Sequence, residues 1–245
     1  MLKLIWNEIL IKPIFNLLFL LTYYTNSLGI SIILLTLFIK VLLFPANLPS
    51  IKMASKKAVL DKDLQKLKKK YKNNKTLLSK KQMELYKKHG INPASGCLPN
   101  IVQILILIAL YRVFISILNN DLNVSFFYFD FLKNAKLSTE FFIWDLAKPD
   151  KFYILPVLAA LVQFLTSKLM APAVKASEKI AKKTESSQDD LMVSMQQNMV
   201  YMTPVMTLII GAKLPSGLIL YWFVSSLFSF IQTYLLKKYV YSAKK

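Results

Sequence analysis

The sequence predicts an all-α polytopic membrane protein, and three observations support this fold class. Apolar residues occupy 55% of the 245 positions and the mean hydropathy is +0.42, whereas the formal net charge is +19. A soluble globular domain rarely combines these values, so apolar and basic residues must be segregated along the chain. Apolar runs of membrane-spanning length do recur, and fourteen lysines fall within residues 52–90.

Five apolar runs form the predicted transmembrane core. A helix needs about 20 residues to cross the hydrocarbon of a bilayer, with tolerance down to about 17, and four of the runs reach this length. The fifth is shorter, but the turn signal Lys213-Leu-Pro-Ser-Gly217 follows it and predicts a helical hairpin with the last run. The predicted spans cover residues 29–48, 93–118, 152–170, 199–213 and 214–236.

Residues 1–28 are predicted to form an amphipathic helix in the membrane interface on the outer side. The apolar segment Ile14–Leu21 is short for a span, and Asn16 interrupts it. It is followed by no small-residue cleavage site of the kind that ends a signal peptide. Amphipathic aromatic rings favour the interface, and this segment carries them at Trp6, Tyr23 and Tyr24.

Residues 49–92 are predicted to form a cytoplasmic basic helical hairpin, called the basic hairpin below. Asn73-Asn74 separates two helix-forming stretches, 55–72 and 77–88. Each stretch carries apolar residues at helical spacing, so the two would pair as antiparallel arms. These residues are Val59, Leu60, Leu64 and Leu67 in the first arm, and Leu78, Met83 and Tyr86 in the second. A disordered basic tether is the alternative.

The charge of the basic hairpin indicates its partners. Fourteen lysines against three acids give it a net charge of +11. Such a surface is typical of segments that face anionic lipid. Single-stranded nucleic acid sites interleave aromatic rings with basic residues, whereas the aromatic residues here concentrate in the apolar runs. Anionic lipid is therefore the expected partner, and no specific DNA partner is expected.

The distribution of lysine predicts the orientation of the chain. Short loops rich in lysine stay in the cytoplasm. Five spans place the basic hairpin, the loop 171–198 and the basic tail 237–245 on one side, which is therefore predicted to be cytoplasmic. The opposite side receives residues 1–28 and the loop 119–151, both near neutral. The N-terminus is predicted to lie outside and the C-terminus inside.

Lys40 is the main functional-site candidate, because it lies inside the first predicted span. A charge at bilayer depth costs about 2.5–3.5 kcal/mol on insertion scales, so it is normally kept where it meets water or a polar partner. Thr36 lies four residues earlier and hence on the same helix face. A lysine that extends to the nearer headgroups is the alternative. For Arg112, six residues from the outer end of its span, that extension to the interface is the favoured interpretation.

The residue inventory argues against enzymatic and metal chemistry. The single cysteine, Cys97, excludes an intramolecular disulfide, and the single histidine, His89, provides no metal-ligand cluster. Neither H-E-x-x-H nor G-x-S-x-G occurs. We therefore expect no catalytic residues, no cofactor and no metal. A small polytopic channel or transporter stays open as an alternative, because charged intramembrane residues are equally typical of ion pathways.

Several ordered motifs resemble the YidC/Oxa-type membrane protein insertase family. The resemblance covers nearly the whole chain, and it is specific because the motifs occur together and in the family's order. They are Thr36-Leu-Phe-Ile-Lys40 with Pro45, Asn92-Pro-Ala-Ser-Gly-Cys-Leu-Pro99 with Gln103 and Leu110-Tyr111, Trp144-Asp-Leu146 with Asp150, Ile154-Leu-Pro156, Met202-Thr-Pro204, and Leu214-Pro-Ser-Gly-Leu-Ile-Leu-Tyr-Trp222 with Gln232.

The resemblance implies a bacterial insertase of the short form, without a large outer domain, in the cell (inner) membrane. Five core helices would enclose a hydrophilic groove open to the cytoplasm and to lipid, with Lys40 at the position where the family usually has arginine. The implied partners are nascent membrane-protein clients and possible contacts with the ribosome and the Sec translocon, and the protein is expected to be a monomer. The implied client-binding groove consists of Lys40, Thr36, Gln103, Trp222 and Tyr221.

Overall fold

A computed structural model describes residues 6–48, 60, 63–67, 69–71, 74–90, 98–118, 124–135, 137–170 and 201–241. Helices dominate these residues. The main helices are α1 (Lys12–Thr25), α2 (Leu28–Leu42), α3 (Lys75–Lys88), α4 (Leu98–Leu118), α5 (Ile154–Met170), α6 (Tyr201–Gly211) and α7 (Ser216–Leu235). A π-helical turn Asn7–Ile11 precedes α1, and another, Leu236–Tyr241, follows α7. Two short antiparallel strands, β1 (Glu140–Phe141) and β2 (Trp144–Asp145), lie between α4 and α5.

Helix α1 packs against α2 as a helical hairpin with a two-residue turn. Asn26 ends α1 in the left-handed conformation (φ 51°), which asparagine tolerates better than most residues. Ser27 then caps α2, where its side chain accepts from the Ile30 amide. Phe15 and Phe19 of α1 are buried in the same core as the other long helices. The N-terminal helix is thus part of the bundle.

Asn16, which interrupts the apolar segment Ile14–Leu21 in the sequence, lies inside α1 and is buried there. Its side-chain amide donates to the Lys12 carbonyl at 2.8 Å and to the Phe126 carbonyl at 2.6 Å. Its Oδ1 accepts from the Tyr128 amide at 2.7 Å. Because all of these groups are paired, the buried asparagine joins α1 to the loop that follows α4. Helix α1 extends beyond the apolar segment Ile14–Leu21 at both ends.

The stretch predicted as the first span, 29–48, is not one continuous helix. Helix α2 ends at Leu42, Leu43 adopts a turn conformation (φ −86°, ψ 0°), and residues 44–48 form a separate helical turn. Pro45 explains the break, because it has no N–H to continue the hydrogen-bond ladder and restricts the residue before it. Lys40 consequently lies in the last turn of α2 rather than in the middle of a span.

Helix α7 occupies the centre of the bundle. It packs most extensively against α5, and it also contacts α2 and α4. Its first six residues, from Ser216 to Tyr221, are all buried. Gly217 permits this packing, because a Cβ there would lie 2.4 Å from the Phe114 ring and 3.2 Å from the Leu146 carbonyl. The glycine therefore lets α4 and the chain after β2 approach the start of α7.

The chain between α4 and α5 covers one end of the bundle, which we call the strand end (β1, β2, residues 146–153 and Pro215). Three of its hydrogen bonds reach α7: the Ser216 amide and hydroxyl both donate to the Lys148 carbonyl, at 2.8 and 2.7 Å, and the Gly217 amide donates to the Leu146 carbonyl at 3.0 Å. Asp150 starts α5 by accepting from the Phe152 and Leu155 amides at 3.0 and 2.8 Å. These contacts assign structural roles to the Trp144-Asp-Leu146, Asp150 and Pro-Ser-Gly motifs.

The basic hairpin is described in part. Asn74 caps α3 by accepting from the Leu77 amide at 3.0 Å, as its position between the two arms predicts. Leu60 is buried and packs with Leu64 and with Tyr86 of α3, so the two arms meet through these residues. Met83, which the sequence placed in the apolar stripe, is 44% exposed.

Length and apolar composition qualify two of the described helices as candidate membrane spans. These are Asn7–Thr25 and Ser216–Lys238. Four shorter apolar helices accompany them within the described residues: Leu28–Leu42, Ile101–Ile117, Ile154–Leu169 and Tyr201–Gly211. Cys97, the loop 171–198, half of the first arm of the basic hairpin and the last four residues of the tail lie outside the described residues.

Candidate functional site

Three helices bring their polar residues together at Lys40. The lysine side chain is 9% exposed, although it carries a charge. Its Nζ donates to Gln103 Oε1 of α4 at 3.0 Å and to Ser229 Oγ of α7 at 3.1 Å. Lys40 lies in the last turn of α2, where the negative end of the helix dipole favours a cation. The local backbone and two side-chain acceptors thus stabilise the buried ammonium.

Gln103 connects the lysine to the rest of the network. Its Nε2 donates to the Tyr221 hydroxyl at 2.8 Å, and its Oε1 also accepts from Ser225 Oγ at 2.8 Å. Ser229 Oγ in turn donates to the Ser225 carbonyl at 2.9 Å. We call these five residues the Lys40 cluster. Gln103 contacts three of the other four members, from two different helices, so it fixes their relative positions.

The Lys40 cluster follows one stripe of α7. Tyr221, Ser225 and Ser229 are spaced four residues apart and therefore lie on one helix face. The stripe extends about 12 Å along the helix axis. Sequence analysis identified Tyr221 but missed both serines, because single serines are common in membrane helices. Their four-residue spacing from Tyr221, opposite a lysine and a glutamine, is the signal that could have found them.

The structure unites three of the five residues expected in the groove and leaves two apart. Lys40, Gln103 and Tyr221 share the hydrogen-bond network. Thr36 is fully buried, and its hydroxyl donates to the Ile32 carbonyl of its own helix at 2.6 Å. Trp222 is partly buried against the hydrophobic core, one residue and hence about 100° around α7 from Tyr221. Their side chains contribute packing beside the cluster.

No carboxylate neutralises Lys40 within the described part of the chain. The five ion pairs found there each join residues three or four apart on one segment, as in Lys12–Glu8, and none includes Lys40. An ammonium has three N–H donors, and Gln103 and Ser229 accept from two of them. The cluster is therefore a site of net positive charge within apolar helices, suited to attract an anion.

Apolar packing closes the bundle between the Lys40 cluster and the strand end. Tyr221 is 1% exposed, and buried residues from five segments of the chain form this apolar packing. They are Leu28 and Ile32 of α2, Leu110 and Phe114 of α4, Leu146 after β2, Leu155 of α5, and Leu218 and Ile219 of α7. The Lys40 cluster therefore borders a layer of buried apolar residues on the side that faces the strand end.

A second polar contact joins α5 to α6. The hydroxyl of Thr207, which is fully buried, donates to Gln163 Oε1. Such a pair helps to hold two helices together in an apolar environment, and the same hydroxyl also lies 3.0 Å from the Thr203 carbonyl of its own helix. In the residues that the structure describes, no group of three or more potential metal ligands occurs.

Comparison with known proteins identifies the family. Residues 20–244 match the sequence profile of the family described as 60Kd inner membrane protein. The chain belongs to this family. Together with the apolar helices, membership in the 60Kd inner membrane protein family confirms the predicted all-α membrane protein and the resemblance that the motifs indicated.

Relatives of similar and of greater length are named membrane protein insertases. The membrane protein insertase YidC of Fusobacterium nucleatum is 39% identical over 217 residues, which cover 88% of this chain and 88% of that protein. The membrane protein insertase MisCA of Bacillus subtilis is 30% identical over 238 residues, covering 95% and 79%. The membrane protein insertase YidC of Geobacter sulfurreducens is 30% identical over 241 residues, covering 98% of this chain but 39% of that longer relative.

Proposed function

We propose that this chain is a membrane protein insertase of a bacterial membrane, in which the Lys40 cluster lines a hydrophilic groove for client segments. The Lys40–Gln103–Ser229 contact carries the proposal, because it places a cation without a described counter-ion among apolar helices. The family membership and the insertase names of the relatives support the same reading.

The groove would act by lowering the cost of moving polar client residues into the membrane. A polar or charged group without a hydrogen-bond partner costs several kcal/mol in hydrocarbon. In our proposal, the third N–H of Lys40 and the cluster hydroxyls hold water and receive the polar end of a client. The client's apolar segment then moves sideways into lipid, driven by hydrophobic partitioning. The membrane potential would help acidic segments outward.

The proposed mechanism requires a direction, and the predicted orientation provides one. With the whole segment 1–28 at the outer interface, as the sequence predicts, α2 would run from the outer to the cytoplasmic side, and Lys40 in its last turn would lie toward the cytoplasm. Ser229 and Gln103 are also near the cytoplasmic ends of α7 and α4. The strand end would then face outward, and its apolar layer would keep the groove closed on that side.

The same layer argues against the channel alternative. A conducting path needs polar or wet groups along its whole length, whereas Tyr221 is followed toward the strand end by fully buried Leu218 and Ile219. The proposed action also needs no covalent step, so we assign no enzymatic reaction. Clients are the essential partners, and ribosome, Sec translocon and anionic lipid are accessory ones that the basic hairpin and tail would attract.

Reconstitution tests insertase against channel directly. Purified protein in liposomes should increase insertion of a short single-span client over protein-free liposomes, without a matching increase in ion flux. Lys213→Gln removes an exposed charge from the α6–α7 turn, away from the Lys40 cluster, and should insert the client like wild type. Ion flux without client insertion would replace this proposal with the channel.

A further inference from the structure

Arg112 is the only arginine among the 32 basic residues of the chain. It is exposed on α4, six residues before that helix ends at Leu118, or about 9 Å along the axis. This position puts the guanidinium near the edge of the hydrocarbon, where a charge needs a polar partner. Arginine differs from lysine in its planar fork of donors, which matches the oxygen pairs of a carboxylate or a phosphate.

A cleft of about 360 Å³ opens beside Arg112. Its walls are α4 on one side and the π-helical turn Asn7–Ile11 with the start of α1 on the other, and Phe126 closes one edge. Ligand pockets in proteins commonly have volumes of about 300–1,000 Å³. The cleft is therefore large enough for a headgroup and the first methylenes of an acyl chain, and it is too small to enclose a whole lipid.

The polar groups of the cleft are grouped around Arg112. Ser116 follows it by four residues and so lies on the same face of α4, and both line the cleft. Asn7 and Tyr111 line it too, so amide and hydroxyl donors accompany the guanidinium. The remaining lining side chains are apolar, among them Ile11, Phe15 and Val113. This combination of a cationic polar mouth and an apolar floor has the chemistry of a phospholipid's interfacial region.

No described carboxylate is available to Arg112. Glu8 lies on the same π-helical turn as Asn7, but its carboxylate pairs with Lys12 at 2.6 Å. Among the described residues no acid forms an ion pair with Arg112. The cleft thus carries a net positive charge that an anionic ligand would neutralise.

We propose that this cleft binds the phosphate of an anionic phospholipid, with Arg112 as the bidentate phosphate donor and Ser116 and Asn7 as additional donors. The acyl chain would start against Ile11 and Phe15. The bound lipid would connect α4 to the N-terminal helix, so it would fix a contact between two elements on the side of the bundle away from the Lys40 cluster. The inference requires a membrane location and does not depend on insertase activity.

Native mass spectrometry of the purified full-length protein with added phosphatidylglycerol tests the assignment. Wild type should retain the lipid. Arg112→Leu should lower its occupancy at least fivefold, Arg112→Lys should lower it less because the charge remains without the fork, and Ser116→Ala should lower it as well. Lys151→Gln, an exposed charge change outside the cleft, should match wild type. A thermal transition in detergent, unchanged in all variants, verifies their fold.

Two further measurements locate and identify the ligand. A phosphatidylglycerol with a photoreactive headgroup should crosslink to peptides that contain Asn7 or Ser116 in wild type, and much less in Arg112→Leu. Inorganic phosphate in 100-fold excess should not displace the lipid, because it lacks the acyl chain. Equal lipid retention by wild type and Arg112→Leu, crosslinks confined to other surfaces, or full displacement by inorganic phosphate would each overturn the proposal.

Discussion

The ammonium of Lys40 donates to Gln103 Oε1 across 3.0 Å and so joins two helices that are 63 residues apart in the sequence. The same oxygen accepts from Ser225, and the Gln103 amide donates to Tyr221. Gln103 therefore holds the buried ammonium of Lys40 and two polar residues of α7, Tyr221 and Ser225, in place. We expect the stability of the bundle to depend on this glutamine, and the proposed attraction of clients would depend on it too; substitutions can separate the two effects.

Gln103→Glu should separate the two effects. A carboxylate at this position would pair with Lys40 and neutralise it, so we expect insertion of clients with acidic outer segments to fall severalfold while neutral clients are affected less. Gln103→Leu instead removes one hydrogen-bond partner from each of the buried groups of Lys40 and Tyr221, which costs about 1–3 kcal/mol of stability. Insertion assays with paired clients and thermal unfolding in detergent measure the two outcomes. If Gln103→Glu inserted acidic clients as well as wild type, the lysine charge would have no role in attracting them.

Gly217→Ala should destabilise the strand end without changing the groove. Its new Cβ would lie 2.4 Å from the Phe114 ring, and overpacking of this kind costs about 1–3 kcal/mol. The matched control is Gly211→Ala, whose Cβ would meet neighbours no closer than 3.3 Å. Thermal unfolding should show a clear loss for the first variant and a smaller one for the second, and Phe114→Leu should partly rescue Gly217→Ala. Equal transitions for the two glycine variants would contradict the close packing.

Cysteine labelling tests the predicted orientation. In a background with Cys97 replaced, a cysteine at the exposed position Lys80 should react with a membrane-impermeant reagent only after the membrane is opened. A cysteine at the exposed position Lys151, at the strand end, should react in intact cells. The reverse pattern would place the strand end in the cytoplasm and remove the directional basis of the proposed mechanism.

The basic hairpin is expected to recruit clients or ribosomes without forming part of the groove. Each lysine near an anionic surface contributes about 1 kcal/mol, an attraction that weakens as salt increases. Replacing residues 56–87 by a flexible linker should therefore slow insertion and reduce its salt dependence while the bundle stays folded. A control that restores the lysines without the apolar residues Leu60, Leu64 and Tyr86 separates charge from hairpin structure. Loss of the thermal transition in the deletion protein would instead make the hairpin a structural support.

Sequence patterns point to the members of the Lys40 cluster that are unusual in a membrane helix and do not single out those that are common there. Lys40 and Gln103 are conspicuous because charge and amide groups are costly in hydrocarbon. Ser225 and Ser229 are small and can satisfy themselves on their own helix, so composition alone does not distinguish them. Thr36 shares the face of Lys40 but donates to its own helix, so its place in the groove stays a prediction.

For the fold as well, periodic apolar patterns predicted the helices better than single residues predicted helix breaks and tertiary contacts. Apolar runs located the long helices, and the turn signal before Gly217 located the junction of α6 and α7. The predicted span 29–48 continues through Pro45, whereas the missing N–H of this proline breaks the helix, and α2 ends at Leu42. The tertiary partners of Asn16, the backbone of Phe126 and Tyr128, lie more than a hundred residues away, so the sequence near Asn16 does not reveal them.

Insertion by Lys40 variants tests the central claim most directly. In liposomes with a membrane potential, wild type, Lys40→Arg, Lys40→Leu and the control Lys213→Gln should be compared on two single-span clients that differ only in acidic outer residues. We expect Lys40→Arg and Lys213→Gln to insert both clients like wild type. Lys40→Leu should insert the acidic client at least fivefold more slowly, with a smaller effect on the neutral one. Equal insertion of the acidic client by wild type and Lys40→Leu, with both proteins folded, would contradict an electrostatic role for this lysine.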